Sequence, residues 1–298
     1  MNTYKIKLNA ESSSLTPFHA DTVFGHLCWI VAHREGEESL REFLKPFMEG
    51  NPPFVISDGF PGDLLPKPLS AEFGISDPQE HKEIKKIEYV SIDDFNRMRT
   101  GEKFKPESSY LQIEKTVTSH NVINRLTNTT FQDAGVFSHE ETFIPEIAFY
   151  LKTISQEWEY RVLALFTELS KNGYGRKKSI GKGQFTVTGI KEFKFPDVED
   201  TNGFITFSNF CPKDSDPNDG LYKTFVKYGK LGEEFTFCGN PFKKPLIMIK
   251  TGSVFKTDST INDFYGRMIK KIAPVKENDV VHYGYAFALP LRIDKPET

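Results

Sequence analysis

Cysteine is scarce: Cys28, Cys211 and Cys238 are the three in 298 residues, and no pair has C-x-x-C spacing. An odd, scattered set argues against a disulfide framework or a thiolate zinc module and suits a reducing compartment. Long apolar runs are also missing. No stretch nears the roughly 18 apolar residues of a membrane span. Residues 1–8 alternate polar and apolar side chains in place of a signal peptide's apolar run. The expected location is the cytoplasm, with no membrane partner. Nor is positive charge in excess: 38 Lys and Arg face 41 Asp and Glu, for a formal net charge of −3. Any nucleic-acid binding must come from a local basic patch, because phosphate attraction is screened beyond about 10 Å at ordinary salt.

Phenylalanine is what the chain has in quantity, 27 residues, many in short runs of alternating polarity that favour sheet. Residues 4–8 read as a strand with Tyr4, Ile6 and Leu8 on one face. A helix is expected over 20–33 from the spacing of Val23, Leu27 and Ile30, with either Thr16-Pro17 or Asp21 at its start. A second helix over 37–49 carries Leu40, Phe43, Leu44 and Phe47, and Gly50 with Pro52-Pro53 stops it. Residues 54–70 read as strand and loop, and 91–99 as a short helix. A strand at 143–153 leads to the clearest helix, 157–172, lined by Trp158, Val162, Leu165, Phe166 and Leu169 and closed by Gly173. A strand follows at 184–193. Beyond an acidic link at 195–200, strands are expected at 204–207, 246–249 and 283–291, with helical character at 219–228.

The order β-α-(α)-β-…-β-α-β matches a split βαβ, ferredoxin-like unit with a long insertion. The fold class is therefore α+β: two ferredoxin-like (RRM-like) units, 1–193 with the insertion and a glycine-rich loop, and 194–298 as a degraded second copy.

That loop, GYGRKKSIGKGQF over 173–185, is the strongest chemical feature. Gly173, Gly175, Gly181 and Gly183 surround Arg176, Lys177, Lys178 and Lys182. Glycine lets backbone N–H groups approach an anion, and Arg binds phosphate through two parallel bonds. The plainer reading is a solvated turn whose glycines end a helix and start a strand. Five residues separate Gly175 from Gly181, and Gly183 follows Lys182, so this is no Walker loop. It leaves a helix and enters a strand, the reverse of a dinucleotide fingerprint. ATP and NAD are therefore not expected here, and no cofactor is.

Histidine invites a catalytic reading. His19, His26 and His33 recur at seven-residue spacing, but the four-residue spacing of a zinc site is absent. Packing and helix-end hydrogen bonds compete with a metal or acid–base role. Phe131, Phe137, Phe143 and Tyr174 are candidates to stack on unpaired bases, with Tyr174 the best exposed because it lies inside the basic loop. Acidic stretches at 35–42, 197–200 and 214–219 read as solvated faces or as partner surfaces.

Four segments together resemble the RAMP superfamily of CRISPR proteins. They are FHADTVFGHLC (18–28), NVINR (121–125) with Thr127 and GVF (135–137), the glycine loop, and KTGSVF (250–255) with YGYAF (283–287). The combination most resembles the type III-A (Csm complex) subunit that caps the crRNA 5′ end. The resemblance implies a non-catalytic crRNA-binding subunit of an antiviral defense complex. It would hold the repeat-derived 5′ tag and contact the large polymerase-like CRISPR subunit and the backbone RAMP subunits. Carried over by position, the RNA-binding residues would be Gly173, Tyr174, Gly175, Arg176, Lys177, Lys178, Ser179, Gly181, Lys182 and Gly183. Asn121 and Arg125 would lie near the RNA path and His19 beside a phosphate. Residues 110–142 would form a hairpin wedged into the guide. The alternative is a metal-independent RAMP endoribonuclease processing guide precursors, with His19, His120 or His139 as acid or base.

Overall fold

In the computed structural model, residues 1–70, 78–106, 113–130, 135–232, 240–273 and 280–293 are described, with side chains 78–81 excepted. The chain opens with β1 (Asn2–Ala10) and α1 (Ala20–Met48), broken at Gly36, whose φ of 90° makes the two helices read from the sequence. Then come β2 (Phe54–Ile56), β3 (Phe60–Pro61), β4 (Leu64–Pro66), α2 (Pro78–Lys86), β5 (Tyr89–Ser91) and α3 (Ile92–Arg99). A long ribbon follows, of β6 (Glu114–Asn121), β7 (Ile123–Asn124), β8 (Thr129–Thr130) and β9 (Val136–Phe143). β10 (Glu146–Thr153), α4 (Gln156–Asn172) and β11 (Phe185–Glu192) complete the first half. Among the described residues the elements of the second half are strands: β12 (Gly203–Thr206), β13 (Gly220–Leu221), β14 (Thr224–Lys227), β15 (Leu246–Ile249), β16 (Val254–Lys256), β17 (Phe264–Gly266) and β18 (Tyr285–Leu291).

The architecture is mixed α/β with several antiparallel sheets. The first sheet runs β11–β1–β10–β2, with β3 also on β10, and every pairing is antiparallel. Its register sets Ile6 opposite Phe149 and Leu8 opposite Ile147, so alternate residues of β1 turn inward. Val23, Phe24, Leu27 and Val31 of α1, and Val162, Phe166 and Leu169 of α4, are buried in the same core. Ser155 caps α4 by accepting from the Trp158 N–H, and Ser91 caps α3 by accepting from the Asp94 N–H. The second sheet runs β13–β16–β12–β18–β17. One core joins the halves. Tyr283 stacks on Phe24 at 4.5 Å, and the Tyr285 hydroxyl donates to the Phe47 carbonyl at 2.5 Å.

Two expectations are corrected. Residues 219–228 form β13 and β14 rather than a helix. Val226 pairs across to Ile247, and a Cβ on Gly220 would lie 2.1 Å from the Val254 carbonyl oxygen, a closeness that suits a strand edge. Asp21 does not cap α1. The helix begins after His19, and the Ala20 N–H donates to the Asp58 carboxylate at 2.8 Å, while Asp21 turns inward to Lys227 at 2.9 Å. A cap drawn from 38 residues away leaves no local trace in sequence.

Candidate nucleic-acid interface

The glycine loop leaves α4 at Gly173 and is folded back on itself by positive φ at Gly173, Gly175, Lys177, Gly181 and Gly183, around a short 3₁₀ turn at Lys178–Ile180. Its two ends are clasped: the Tyr174 N–H donates to the Gly183 carbonyl at 2.9 Å, and the Gly183 N–H donates to Ser13 at 2.9 Å. A Cβ at Gly183 would sit 2.0 Å from the Tyr174 carbonyl oxygen, so the clasp requires glycine.

Tyr174 is not the exposed stacking residue expected from its place in the loop. It is fully buried, its ring lies flat on Phe18 at 4.4 Å, and its hydroxyl donates to the Pro17 carbonyl at 2.6 Å. Burial raises its phenol well above the usual range. Tyr174 is the loop's anchor. His26 and Thr16 add to the anchor, His26 Nε2 accepting from the Gly175 N–H at 3.3 Å and Thr16 Oγ1 from the Arg176 N–H at 3.0 Å. These backbone donors are thus spent inside the protein. Of the loop's polar side chains between Gly175 and Gly181, those of Arg176 and Ser179 are exposed.

Lys182 is drawn inward as well. Its ammonium contacts Glu141 Oε2 at 2.5 Å and Ser13 Oγ at 3.0 Å, and the bonds that Lys182 and then Ser13 Oγ (at 2.6 Å) donate to Glu141 hold its buried carboxyl below the ordinary range. Because Glu141 belongs to β9, this pair ties the loop to the root of the ribbon.

The ribbon itself is β6 paired with β9 in continuous register from Glu114 opposite Phe143 to Asn121 opposite Val136, with β7 and β8 at the far end. At roughly 3.3 Å per residue its paired arms reach about 25 Å. It is solvated on most sides, with Val117, Ile123, Leu126 and Val136 exposed. This agrees with the hairpin expected over 110–142, of which 110–112 and 131–134, including Phe131, lie outside the described residues. Lys177 Nζ stands 5.5 Å over the Phe137 ring, and Phe137 stacks on His120 at 5.4 Å. His139 lies 5.3 Å from His120, centroid to centroid, and desolvation, then Lys177 and Arg176, lower its imidazole. Loop and ribbon therefore meet at Lys177, and Asn121 follows His120 along β6. Arg125 is exposed in the turn between β7 and β8. Phe143 is half-buried.

His19 lies elsewhere, 3.4 Å from Lys227 Nζ, in the polar network around Asp21. His282, also in that network, went unnoticed in the sequence. It is buried 3.3 Å from Asp21 without a bonding alignment, and burial lowers its imidazole to about 4. Among the described residues, no three His, Cys, Asp or Glu side chains group as a metal site, and no helix is long and apolar enough to cross a membrane.

No family model and no curated protein sequence matches this chain. Solved structures do. A chain from a Csm1–Csm4 cassette in complex with cA4 superposes with a TM-score of 0.67 at 19% identity, covering 100% of both chains. A chain from a Csm3–Csm4 subcomplex of the type III-A CRISPR-Cas interference complex gives 0.64 at 15% identity, over 98% of this chain and 100% of that one. The protein therefore has the fold found in chains of type III-A CRISPR-Cas assemblies.

Proposed function

We propose that this chain is a Csm4-like RAMP subunit that holds the repeat-derived 5′ tag of the crRNA and performs no chemistry of its own. Csm4 is the component common to the two similar assemblies, one with Csm1 and one with Csm3. In this reading the chain bridges the large polymerase-like subunit to the backbone RAMP subunits and works in the cytoplasm. The strand order β11–β1–β10–β2, with α1 and α4 on the crossovers, supports a ferredoxin-like unit over 1–193. The strands of 194–298 would be its degraded partner.

The observation that carries the RNA reading is the junction of loop and ribbon: Arg176 and Lys177 on a rigidly clasped turn, beside Phe137 on an exposed two-stranded arm. Cations for phosphates beside an aromatic face for a base are what single-stranded RNA requires. Reversing charge at Arg176, Lys177 and Lys178 tests it in the assembled complex. Guide loading should fall and its log–log salt slope should flatten by about 2, at about 0.7 per lost phosphate contact on a single strand. Loading and slope equal to those of the unaltered chain would sink it.

The pairing of His120 with His139 beside Lys177 favours a second reading, acid–base cleavage of a guide precursor. Cleavage of repeat RNA by the purified chain in EDTA, abolished by His120→Ala or His139→Ala, would establish it. Intact RNA leaves the binding role.

A further inference from the structure

A cleft of about 1080 Å³ opens at the root of the ribbon, and six lysines line it: Lys67, Lys85, Lys86, Lys115, Lys223 and Lys250. They come from five separate places in the chain. Lys67 follows β4, Lys85 and Lys86 end α2, Lys115 is in β6, Lys223 precedes β14, and Lys250 follows β15. Three carboxylates share the lining, Asp58, Glu88 and Glu140. Asp58 is committed to the Ala20 N–H and to Asn209 Nδ2 at 2.9 Å, and burial raises its carboxyl. The cleft therefore carries an excess of positive charge in a chain whose net charge is negative.

The walls are built rather than incidental. The Lys250 N–H donates to the Lys223 carbonyl at 2.8 Å, the Leu69 N–H to Gly252 at 3.0 Å, and the Lys67 N–H to Glu88 at 3.0 Å. These bonds lock three lysine-bearing segments to one another. Lys67 is half-buried and donates to the Ile84 carbonyl at 2.5 Å. Burial, then Lys223 and Lys85, lower its ammonium to about 8. Like charges gathered in this way oppose folding until an anion joins them. On the lining, Thr251 Oγ1 is buried without a hydrogen-bond partner. One side of the cleft is formed by Ser12, Ser14 and residues 15–19, the segment whose Thr16 and Pro17 hold the glycine loop. Loop and cleft thus share a wall.

We propose that this lysine cleft is a second phosphate-binding site, taking consecutive phosphodiesters of single-stranded RNA that continues from the glycine loop past residues 12–19. It rests on the RNA-binding reading above and extends it to a surface that no motif marks. Lysines supply point charges without the fixed fork of arginine, which suits a backbone track read for charge rather than for base.

The test compares three full-length proteins on one probe, a fluorescent single-stranded RNA carrying the repeat-derived tag, across a salt series. They are the unaltered chain, a cleft variant (Lys223→Gln with Lys250→Gln) and a loop variant (Arg176→Gln with Lys177→Gln). The cleft variant leaves Lys67 in place because its bond to Ile84 supports the fold; thermal melting verifies that it is folded. The cleft variant should bind at least tenfold more weakly at low salt, with a slope flatter by about 1.4. Adding Lys67→Gln should weaken it further. A cleft variant that binds like the unaltered chain beside a weakened loop variant overturns the cleft and leaves the loop reading standing. No RNA binding by the unaltered chain overturns both.

Discussion

Gly183 and Gly181 have similar backbone angles, φ 66° and 87°, in opposite surroundings. A Cβ on Gly183 would collide with the Tyr174 carbonyl, whereas one on Gly181 would meet open space. Gly181→Ala should therefore cost about 1–2 kcal/mol, the left-handed backbone penalty alone. Gly183→Ala adds a backbone collision and should cost about 3 kcal/mol or more. Urea unfolding of the two variants separates the cases, and equal costs would contradict the clasp. Tyr174 teaches a related lesson. Its position among basic residues pointed outward because the partner that buries it, Phe18, is more than 150 positions away. The exposure of Arg176 was legible for the opposite reason: no distant partner covers it.

At the scale of elements, the pair of Lys182 with Glu141 joins the loop to the ribbon. Glu141 is buried, and its folded carboxyl titrates below its ordinary range. The pair's contribution is thus present above the unfolded carboxylate pKa and lost as pH falls through the lower folded value. A double-mutant cycle on Lys182→Met and Glu141→Gln should give a coupling of about 1–2 kcal/mol at pH 7. A coupling near zero would mean that loop and ribbon are held by other contacts. The elements themselves were legible where one face is buried. β1 and α4 announce periods of 2 and 3.6 because each has one face in the core. Residues 219–228 were misread because β13 and β14 are short and β14 is largely exposed, so their strand character comes from β16 and β15, far along the chain. The lysine cleft had no sequence signal, since its charges are scattered from Lys67 to Lys250 and meet only in the fold.

For the whole molecule, the junction between halves carries a buried polar network of Asp21, Lys227 and His282. His282 is held near 4 by burial, with Lys243 and Lys227 acting in the same direction and Asp21 opposing. Between pH 6.5 and about 4 the unfolded chain binds a proton that the folded chain does not. Stability should accordingly fall by about 3 kcal/mol as pH drops through that window. Asp58, whose carboxyl is raised, works against this fall. His282→Gln should flatten the dependence in thermal melts taken from pH 7 to 4.5; an unchanged profile would assign it to other groups. The shared core bears on folding too. Phe24, Phe47 and Phe60 pack against Tyr283, Tyr285 and Phe207. A fragment ending at residue 193 would expose these rings, so it should fail to unfold cooperatively in calorimetry, while the full chain gives one transition. A cooperative fragment would contradict this dependence of the first half on the shared core.

The central proposal, that this fold holds a guide's 5′ tag, is tested most directly by titrating the unaltered chain, with the proposed large-subunit partner, against tagged and scrambled-tag RNA across a salt series. Tighter binding of the tagged RNA, with a steep salt slope and no shortened product, is the expected result. Equal binding of both RNAs with a shallow slope would contradict it.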